Sequence, residues 1–186
     1  MRGPIALALD MTSDLQVCAL GAATWTMRDR VRLELGYHGS PTDIVARIAD
    51  LVDRWDPCVI VINSSSPAAH LVPKLVALGI EPELTTAGQA ADAAVGFVDD
   101  SLAGRISHAG DDRLHDALAT VRKKERGGGK FGWDYASAGA VRAQVVSLAR
   151  WGLITFGPMV RPKQTPIQDD IAAADFDDDA LMGAGF

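Results

Sequence analysis

Polar residues with the chemistry to bind metal ions stand at the ends of apolar, strand-like runs in this sequence. Asp10 follows the apolar run Ile5–Leu9 and precedes the turn-forming segment Thr12–Asp14. A carboxylate at the carboxyl end of a buried strand is well placed to hold a divalent metal ion, because ligands collect at this edge of an α/β sheet. The alternative is that Asp10 only caps the turn that follows it.

Metal-dependent hydrolysis of a phosphodiester requires further ligands. Two metal ions about 3.5–4 Å apart are held by several carboxylates, which leave sites for water and phosphate oxygens. Asn63 follows the apolar run Cys58–Ile62 and offers a neutral carbonyl oxygen. Asp134, Asp99 with its neighbour Asp100, and His108 are candidates for the further ligands, His108 as a base or ligand. Their alternative roles are a helix cap for Asp134, a solvated helix face for Asp99 and a hydrogen-bonded surface histidine for His108.

A cluster of basic residues lies beside three consecutive glycines. Its members are Arg122, Lys123, Lys124, Arg126 and Lys130. Such a cluster next to a flexible loop at 127–129 suits contact with a phosphate backbone, although positive charge at the end of a helix is also stabilising by itself. The loop is not an ATP-binding phosphate loop, because Phe131 stands where Ser or Thr is required and no strand is predicted to lead into it.

The periodicity of apolar residues predicts a mixed α/β sheet. Three strands come first and form an antiparallel meander, at 4–9, 15–26 and 30–37. Parallel strands are predicted at 58–62 and 80–86, and helices at 40–55, 64–79, 88–102, 111–124 and 138–151. Ser40 is the predicted N-cap of the first helix and Pro41 its first residue. A meander followed by alternating helices and strands gives a mixed sheet with helices on both faces.

Charge is unevenly distributed between the body of the chain and its C-terminal segment. The net charge is −6, but six of the 24 acidic residues lie after Lys163, so the remaining 18 balance the 18 Lys and Arg residues. We therefore predict one folded domain over 1–157 and an acidic, disordered tail over 158–186. The tail is expected to aid solubility; the alternatives are that it mimics DNA in a basic groove or binds another protein.

Composition indicates a protein of the cytoplasm. The sequence has no run of about 20 apolar residues that would cross a membrane, and its N-terminus does not have the features of a signal peptide. The two cysteines, Cys18 and Cys58, lie in apolar runs. In the cytoplasm such residues are predicted to be buried free thiols rather than a disulfide or a zinc site.

Several segments of the chain together resemble one family in their order and spacing. They are Ile5–Asp10, Val59–Asn63 with Ser66–Leu75, Gly104–His108 and Leu148–Gly152. Over about residues 4–155, the chain resembles the C-terminal nuclease domain of phage terminase large subunits, of the actinobacteriophage type. The resemblance implies an RNase H-like fold, cutting of concatemeric DNA during viral packaging, and an acidic cluster that holds Mg²⁺ or Mn²⁺.

The resemblance also implies roles for individual residues. Asp10 matches the first catalytic aspartate, whereas Asn63 and Gly139 fall where the second and third are expected. Because the affinity for hard cations depends on the number of charged ligands, we predict weak or absent cleavage by the isolated chain. The substitutions Asn63→Asp and Gly139→Asp are together predicted to raise activity.

The implied partner is double-stranded DNA in the host cytoplasm. A separate ATPase motor subunit, a small terminase or a portal are further implied partners, since no ATPase motif is found in this chain. The alternative function is a non-catalytic DNA- or protein-binding module of a packaging assembly, which would bind DNA without a metal requirement. An unrelated RNase H-like resolvase would need a full acidic set that the sequence does not supply.

Overall fold

A mixed six-stranded sheet forms the centre of the computed structural model, which describes residues 3–26 and 30–157. The strands are β1 (Ile5–Met11), β2 (Cys18–Trp25), β3 (Val31–Gly39), β4 (Val59–Asn63), β5 (Glu83–Thr85) and β6 (Ile106–His108). Their order is β5-β4-β1-β2-β3-β6. β1, β2 and β3 form the predicted antiparallel meander, and the other three strands pair in parallel with their neighbours. The predicted mixed sheet of an antiparallel meander and parallel strands is confirmed.

Helices cover both faces of this sheet. They are α1 (Ile44–Trp55), α2 (Val72–Val76), α3 (Ala87–Leu102), α4 (Asp112–Thr120) and α5 (Ala140–Phe156), with a 3-10 helix, Pro67–Leu71, before α2. Alternate residues of β1 divide the core: Ala6 and Ala8 face the cluster of α3, α4 and α5, whereas Leu7 and Leu9 face the cluster of α1 and α2. Alternation along the strand thus builds two separate apolar layers.

Small residues allow α5 to lie very close to the sheet. A side chain added at Gly21 of β2 would come within 2.9 Å of the backbone of Val145. One added at Gly152 would come within 2.7 Å of a Val61 methyl group. Contacts this short would force the helix away from the strands, so these two glycines fix the position of α5.

The prediction of a helix over 111–124 is wrong at its C-terminal end. α4 ends at Thr120, and the basic residues that follow belong to a two-stranded hairpin, β7 (Lys123–Gly127) and β8 (Lys130–Trp133). The predicted flexible loop is the turn of this hairpin, and the three glycines at 127–129 all adopt positive φ. A strand does therefore lead into the glycine segment, contrary to the prediction.

Other differences from the predictions are smaller and concern the start of one helix, one short strand and one exposed thiol. α1 begins at Ile44 with Asp43 as N-cap, because Ser40 and Pro41 form a preceding turn in which the Pro41 carbonyl accepts from the amide of Ile44. β6 was not predicted. Cys18 is buried as expected, but Cys58 is exposed, and both thiols are free.

Two further predictions concern the C-terminal tail and helices that could cross a membrane. The segment 158–186, predicted to be a disordered tail, lies outside the described residues. Within the described part of the chain, every helix is too short or too polar to cross a membrane.

The different exposure of the two thiols gives a test of the strand register. Cys58 should react with a thiol reagent in the native protein, whereas Cys18 should react only on unfolding, since burial also raises the pKa of Cys18 to about 11. Alkylation followed by mass spectrometry measures this, with Cys58→Ser and Cys18→Ser as matched controls. Equal reactivity of both thiols in the native protein would contradict the arrangement of β2 and β4.

Candidate functional site

Asp10 lies near the end of β1, fully buried and beside the end of β4. The parallel register pairs Leu9 with Ile62, so Asp10 and Asn63 are the next residues on the two neighbouring strands. The predicted meeting of these two strand ends is confirmed. It follows from the topology, since β4 returns through α1 to the open side of β1.

Two hydroxyl groups donate hydrogen bonds to the Asp10 carboxylate. The Ser66 hydroxyl, at the start of the 3-10 helix after β4, donates to Oδ1, and the Tyr135 hydroxyl donates to Oδ2. Burial raises the pKa of Asp10 to about 6, although both hydrogen bonds act to lower the pKa. Burial, followed by the adjacent Asp10 charge, also raises the pKa of Tyr135, so the phenol stays a proton donor.

A cavity of about 60 Å³, which we call the site cavity, lies next to Tyr135 and Asn63. Its lining residues are Asn63, Ser65, Ala87, Ala90, Ala91, Arg126, Gly132, Trp133, Tyr135 and Gln144. Asn63 and Gln144 are buried, whereas Ser65 and Arg126 are exposed, so the amides form the floor and the latter two residues the mouth. Arg126 is the only lining residue in the described part of the chain with a charged side chain.

Gln144 of α5 is the functional candidate that the sequence analysis missed. It is 3% exposed, and its Nε2 atom has no hydrogen-bond acceptor among the described residues. A buried amide donor without a partner is costly, and such a group is often satisfied by a water or a ligand. The signal was present in the sequence, since Gln144 is a polar residue between Val141 and Val145, which lie on the inner face of the predicted helix.

The β7–β8 hairpin is fixed over the site cavity by its second strand. The indole of Trp133 donates to the Ser147 hydroxyl at 3.0 Å and packs edge-on against Phe97, with centroids 6.1 Å apart. Lys130 forms a 2.6 Å ion pair with Asp92 of α3. These contacts join the hairpin to both α3 and α5, so the basic cluster is held at a defined place.

The predicted DNA-contacting residues all lie on or beside this hairpin. Lys123 stacks over the Phe131 ring with its Nζ 4.3 Å from the ring centroid, and Lys124 is exposed. Arg122 precedes the hairpin and lies 3.7 Å from Asp134. Arg126 lies against Gly132 and lines the site cavity, and Lys130 pairs with Asp92 of α3. Contact of this surface with DNA stays a prediction.

The structure does not bring Asp134 into the site with Asp10. Its Oδ1 atom accepts a hydrogen bond from the amide of Ala136 at 3.2 Å, and its Oδ2 atom faces Arg122. Asp134 thus caps the turn at 134–137 rather than a helix, since the N-cap of α5 is Gly139. Its neighbour Tyr135, rather than Asp134 itself, contacts Asp10.

His108 and Asp99 also lie far from Asp10. The sheet register places His108 level with Ala6 of β1, three strands away. That separation is about 14 Å across the sheet and about 13 Å along it. Asp99 is exposed and lies on α3 about 12 Å beyond Ala91, the last α3 residue that lines the cavity. The structure therefore does not place Asp99 together with Asp10 and Asn63.

Gly139 has no room for the third acid that the family resemblance implies. It is the N-cap of α5, and a side chain there would overlap the carbonyl oxygen of Ala117 and lie 2.8 Å from its carbonyl carbon. The close approach of α4 to α5 thus requires glycine. The predicted gain of activity through Gly139→Asp has no structural support.

The residues around Asp10 do not fit a divalent metal ion. Within 3–26 and 30–157, no three His, Cys, Asp or Glu side chains group together as metal ligands. Both Asp10 oxygens accept from hydroxyls, Asn63 and Gln144 are neutral, and the cavity mouth carries a guanidinium. Hard cations are held by negative oxygen ligands, and this arrangement supplies too few of them.

Solved structures of phage enzymes share this architecture. The HK97 bacteriophage large terminase superposes with a TM-score of 0.65 and 14% identity, over 82% of this chain and 40% of that one. The large terminase nuclease from thermophilic phage G20c gives 0.60 and 15%, over 78% and 80% of the two chains. The chain has the fold of the nuclease domain of phage large terminases. It spans about two fifths of the HK97 terminase chain.

A further phage structure is similar to this chain, whereas its sequence has no match among family models or curated proteins. A large terminase fragment from bacteriophage Sf6, whose structure contains calcium, gives a TM-score of 0.55 and 14% identity, over 80% of this chain and 88% of that one. No family model and no curated protein matches the sequence. At these identities the neighbours establish the fold alone, and they assign no role to any residue of this chain.

The raised pKa of Asp10 predicts a pH dependence of stability. Because the folded-state pKa of about 6 lies above the ordinary 3.8, the Asp10 contribution to stability is present below pH 3.8 and is lost as pH rises through 6. The loss is roughly 3 kcal/mol. Urea unfolding of wild type and Asp10→Asn in EDTA, between about pH 4 and pH 7, measures the difference. A difference between the two proteins that stays constant across this range would contradict the prediction.

The tight contact at Gly139 predicts that any side chain is destabilising there. Gly139→Ala should lower the free energy of unfolding by roughly 1–3 kcal/mol, because the backbone of Ala117 must move. Gly88→Ala is the matched control, since the first contact of a side chain there is 3.8 Å away, to the Thr86 hydroxyl. Thermal unfolding of both variants tests this, and a Gly139→Ala variant as stable as Gly88→Ala would contradict it.

Proposed function

We propose that this chain is a terminase-type nuclease-fold domain that binds double-stranded DNA in phage packaging and cleaves it weakly or not at all. The observation that carries the proposal is the composition of the site. Asp10 is sealed behind two hydroxyls, and the adjoining cavity has two amides and an arginine where a metal-dependent nuclease needs carboxylates.

DNA binding is supported by the charge of the hairpin. Lys123, Lys124 and Arg126 are exposed on β7, and Arg122 lies directly before them. The hairpin is anchored through Trp133, so these charges are presented together beside the cavity. Bases grouped in this way bind the phosphate backbone by releasing counterions, which makes binding strongly dependent on salt.

We propose the partners from the likeness to terminase nuclease domains, and the chemistry of the site does not enter into this choice. Double-stranded DNA is the first. A motor subunit with ATPase activity, a small terminase and a portal are the protein partners that we propose for a domain of this fold. An active endonuclease that uses Mg²⁺ or Mn²⁺ is the competing function, since Asp10 lies beside the end of β4, where the family resemblance implies an acidic ligand.

A nicking assay distinguishes the two functions. Wild type, incubated with supercoiled plasmid and either Mg²⁺ or Mn²⁺, should give no more nicked DNA than the Asp10→Asn variant, because the site has too few charged ligands to hold the ions. Binding of the same DNA should persist in EDTA. Strong metal-dependent nicking that Asp10→Asn abolishes would establish the active nuclease instead.

The contribution of the hairpin to DNA binding is tested by single charge removals. Lys124→Ala should weaken binding to a short duplex and lower the slope of log affinity against log salt by roughly one, as expected for one lost phosphate contact. Arg54→Ala is the matched control, because it removes one exposed charge from the last turn of α1. Fluorescence anisotropy at several salt concentrations measures both. Equal effects of the two substitutions would reject the hairpin as the DNA surface.

A further inference from the structure

The site cavity has the chemistry of an anion site. Among its lining residues, Arg126 supplies a positive charge, Asn63 and Gln144 supply amide N–H groups, and Ser65 supplies a hydroxyl. The amide nitrogen of Gln144 is buried and lacks an acceptor within the described residues. A phosphate oxygen is the type of acceptor that satisfies this donor and neutralises the guanidinium.

Helix α3 adds to the same preference. Its first residue, Ala87, lines the cavity together with Ala90 and Ala91. The N-terminal end of a helix carries a partial positive charge, and this helix is sixteen residues long. The helix end and Arg126 therefore face the same small space from different elements, and both favour a negative ligand.

No acidic residue lines the cavity within the described residues. Asp134 and Asp92, which neighbour lining residues in the chain, form ion pairs with Arg122 and Lys130. Asp10 lies behind Tyr135, and both of its oxygens already accept hydrogen bonds, from Ser66 and Tyr135. Tyr135 lines the cavity, whereas Asp10 does not. Burial and the Asp10 charge raise the pKa of the Tyr135 phenol, and the positive charge of Arg126 offsets a small part of that rise. The guanidinium is thus close to the cavity wall.

We propose that the site cavity binds one phosphate group of the DNA backbone directly, without a bridging metal ion. The volume of about 60 Å³ suits one such group, since a single water needs roughly 10–15 Å³ by the same measure. This inference rests on the proposed function, because it assigns the DNA phosphate to the position where the terminase fold is expected to hold metal ions. The amides Asn63 and Gln144 then act as donors to phosphate rather than as weak ligands of a cation.

The test is an NMR titration of the protein with inorganic phosphate in EDTA. The side-chain amide signals of Asn63 and Gln144 should shift and saturate. Arg126→Gln should weaken phosphate binding at least tenfold, whereas Lys124→Gln, which removes the same charge from the same strand outside the cavity, should change it less than twofold. Shifts that do not saturate, equal weakening by both variants, or a requirement for Mg²⁺ would overturn the proposal.

A second variant keeps the shape of the cavity and reverses its electrostatics. Asn63→Asp combined with Gln144→Glu replaces two amide donors by carboxylates of the same size, and should weaken phosphate binding at least tenfold. The Asn63 oxygen that accepts from the Ser65 amide at 3.1 Å is kept, so this local contact survives. Unchanged phosphate affinity in this variant would show that the amides are not donors to the ligand.

A titration with a short DNA duplex distinguishes free phosphate from a DNA phosphate as the ligand. It also tests the cavity inference separately from the proposed function. With a short duplex, Arg126→Gln should weaken binding at least fivefold more than Lys124→Gln; equal effects would reject a DNA phosphate as the occupant. If the wild type binds duplex DNA but not phosphate, the cavity inference fails and the proposed function stands. If it binds phosphate but no DNA, the proposed function fails.

Discussion

The buried carboxylate of Asp10 is the constraint on which the site depends. Burial of a charge in an apolar sheet is costly, and two hydroxyl donors offset only part of that cost here, since the pKa of Asp10 is still raised to about 6. Ser66 belongs to the turn after β4, and Tyr135 to the segment before α5. One side chain thus joins the centre of the sheet to two loops, and it determines which other residues reach this edge.

Charge at this edge determines what kind of ligand the fold can hold. Three carboxylates around a strand end attract divalent cations, whereas one shielded carboxylate with two amides and a guanidinium attracts anions. In this chain we propose that Asn63, Gln144 and Arg126 make this edge of the sheet favour an anion.

Local patterns were enough to predict five of the six strands of the sheet and the helices on its two faces, but neither β6 nor the hairpin. Alternation in β3 and the apolar run of β4 are strong signals, and the meeting of Asp10 and Asn63 follows from topology alone. β7 consists of exposed, mostly charged residues, and it is held by Trp133 and its contacts with α3 and α5. Such long-range packing leaves no periodic pattern in the sequence.

The third site position shows a second limit of sequence reasoning. Spacing in the family resemblance pointed to Gly139, yet that residue is glycine because the backbone of Ala117 lies against it. Gln144 lies further along α5 and lines the cavity, and its unpaired amide becomes visible only with the cavity around it. Asp134 was nearly correct in position, but its side chain caps a turn while Tyr135 turns inward.

The most direct test of this account is a crystal structure from crystals grown with phosphate and soaked in Mn²⁺, using the anomalous signal to locate the metal. The account predicts phosphate density between Arg126, Asn63 and Gln144 and no manganese peak beside Asp10. A manganese ion coordinated by Asp10 and Asn63, with the Ser66 and Tyr135 hydroxyls displaced, would contradict it.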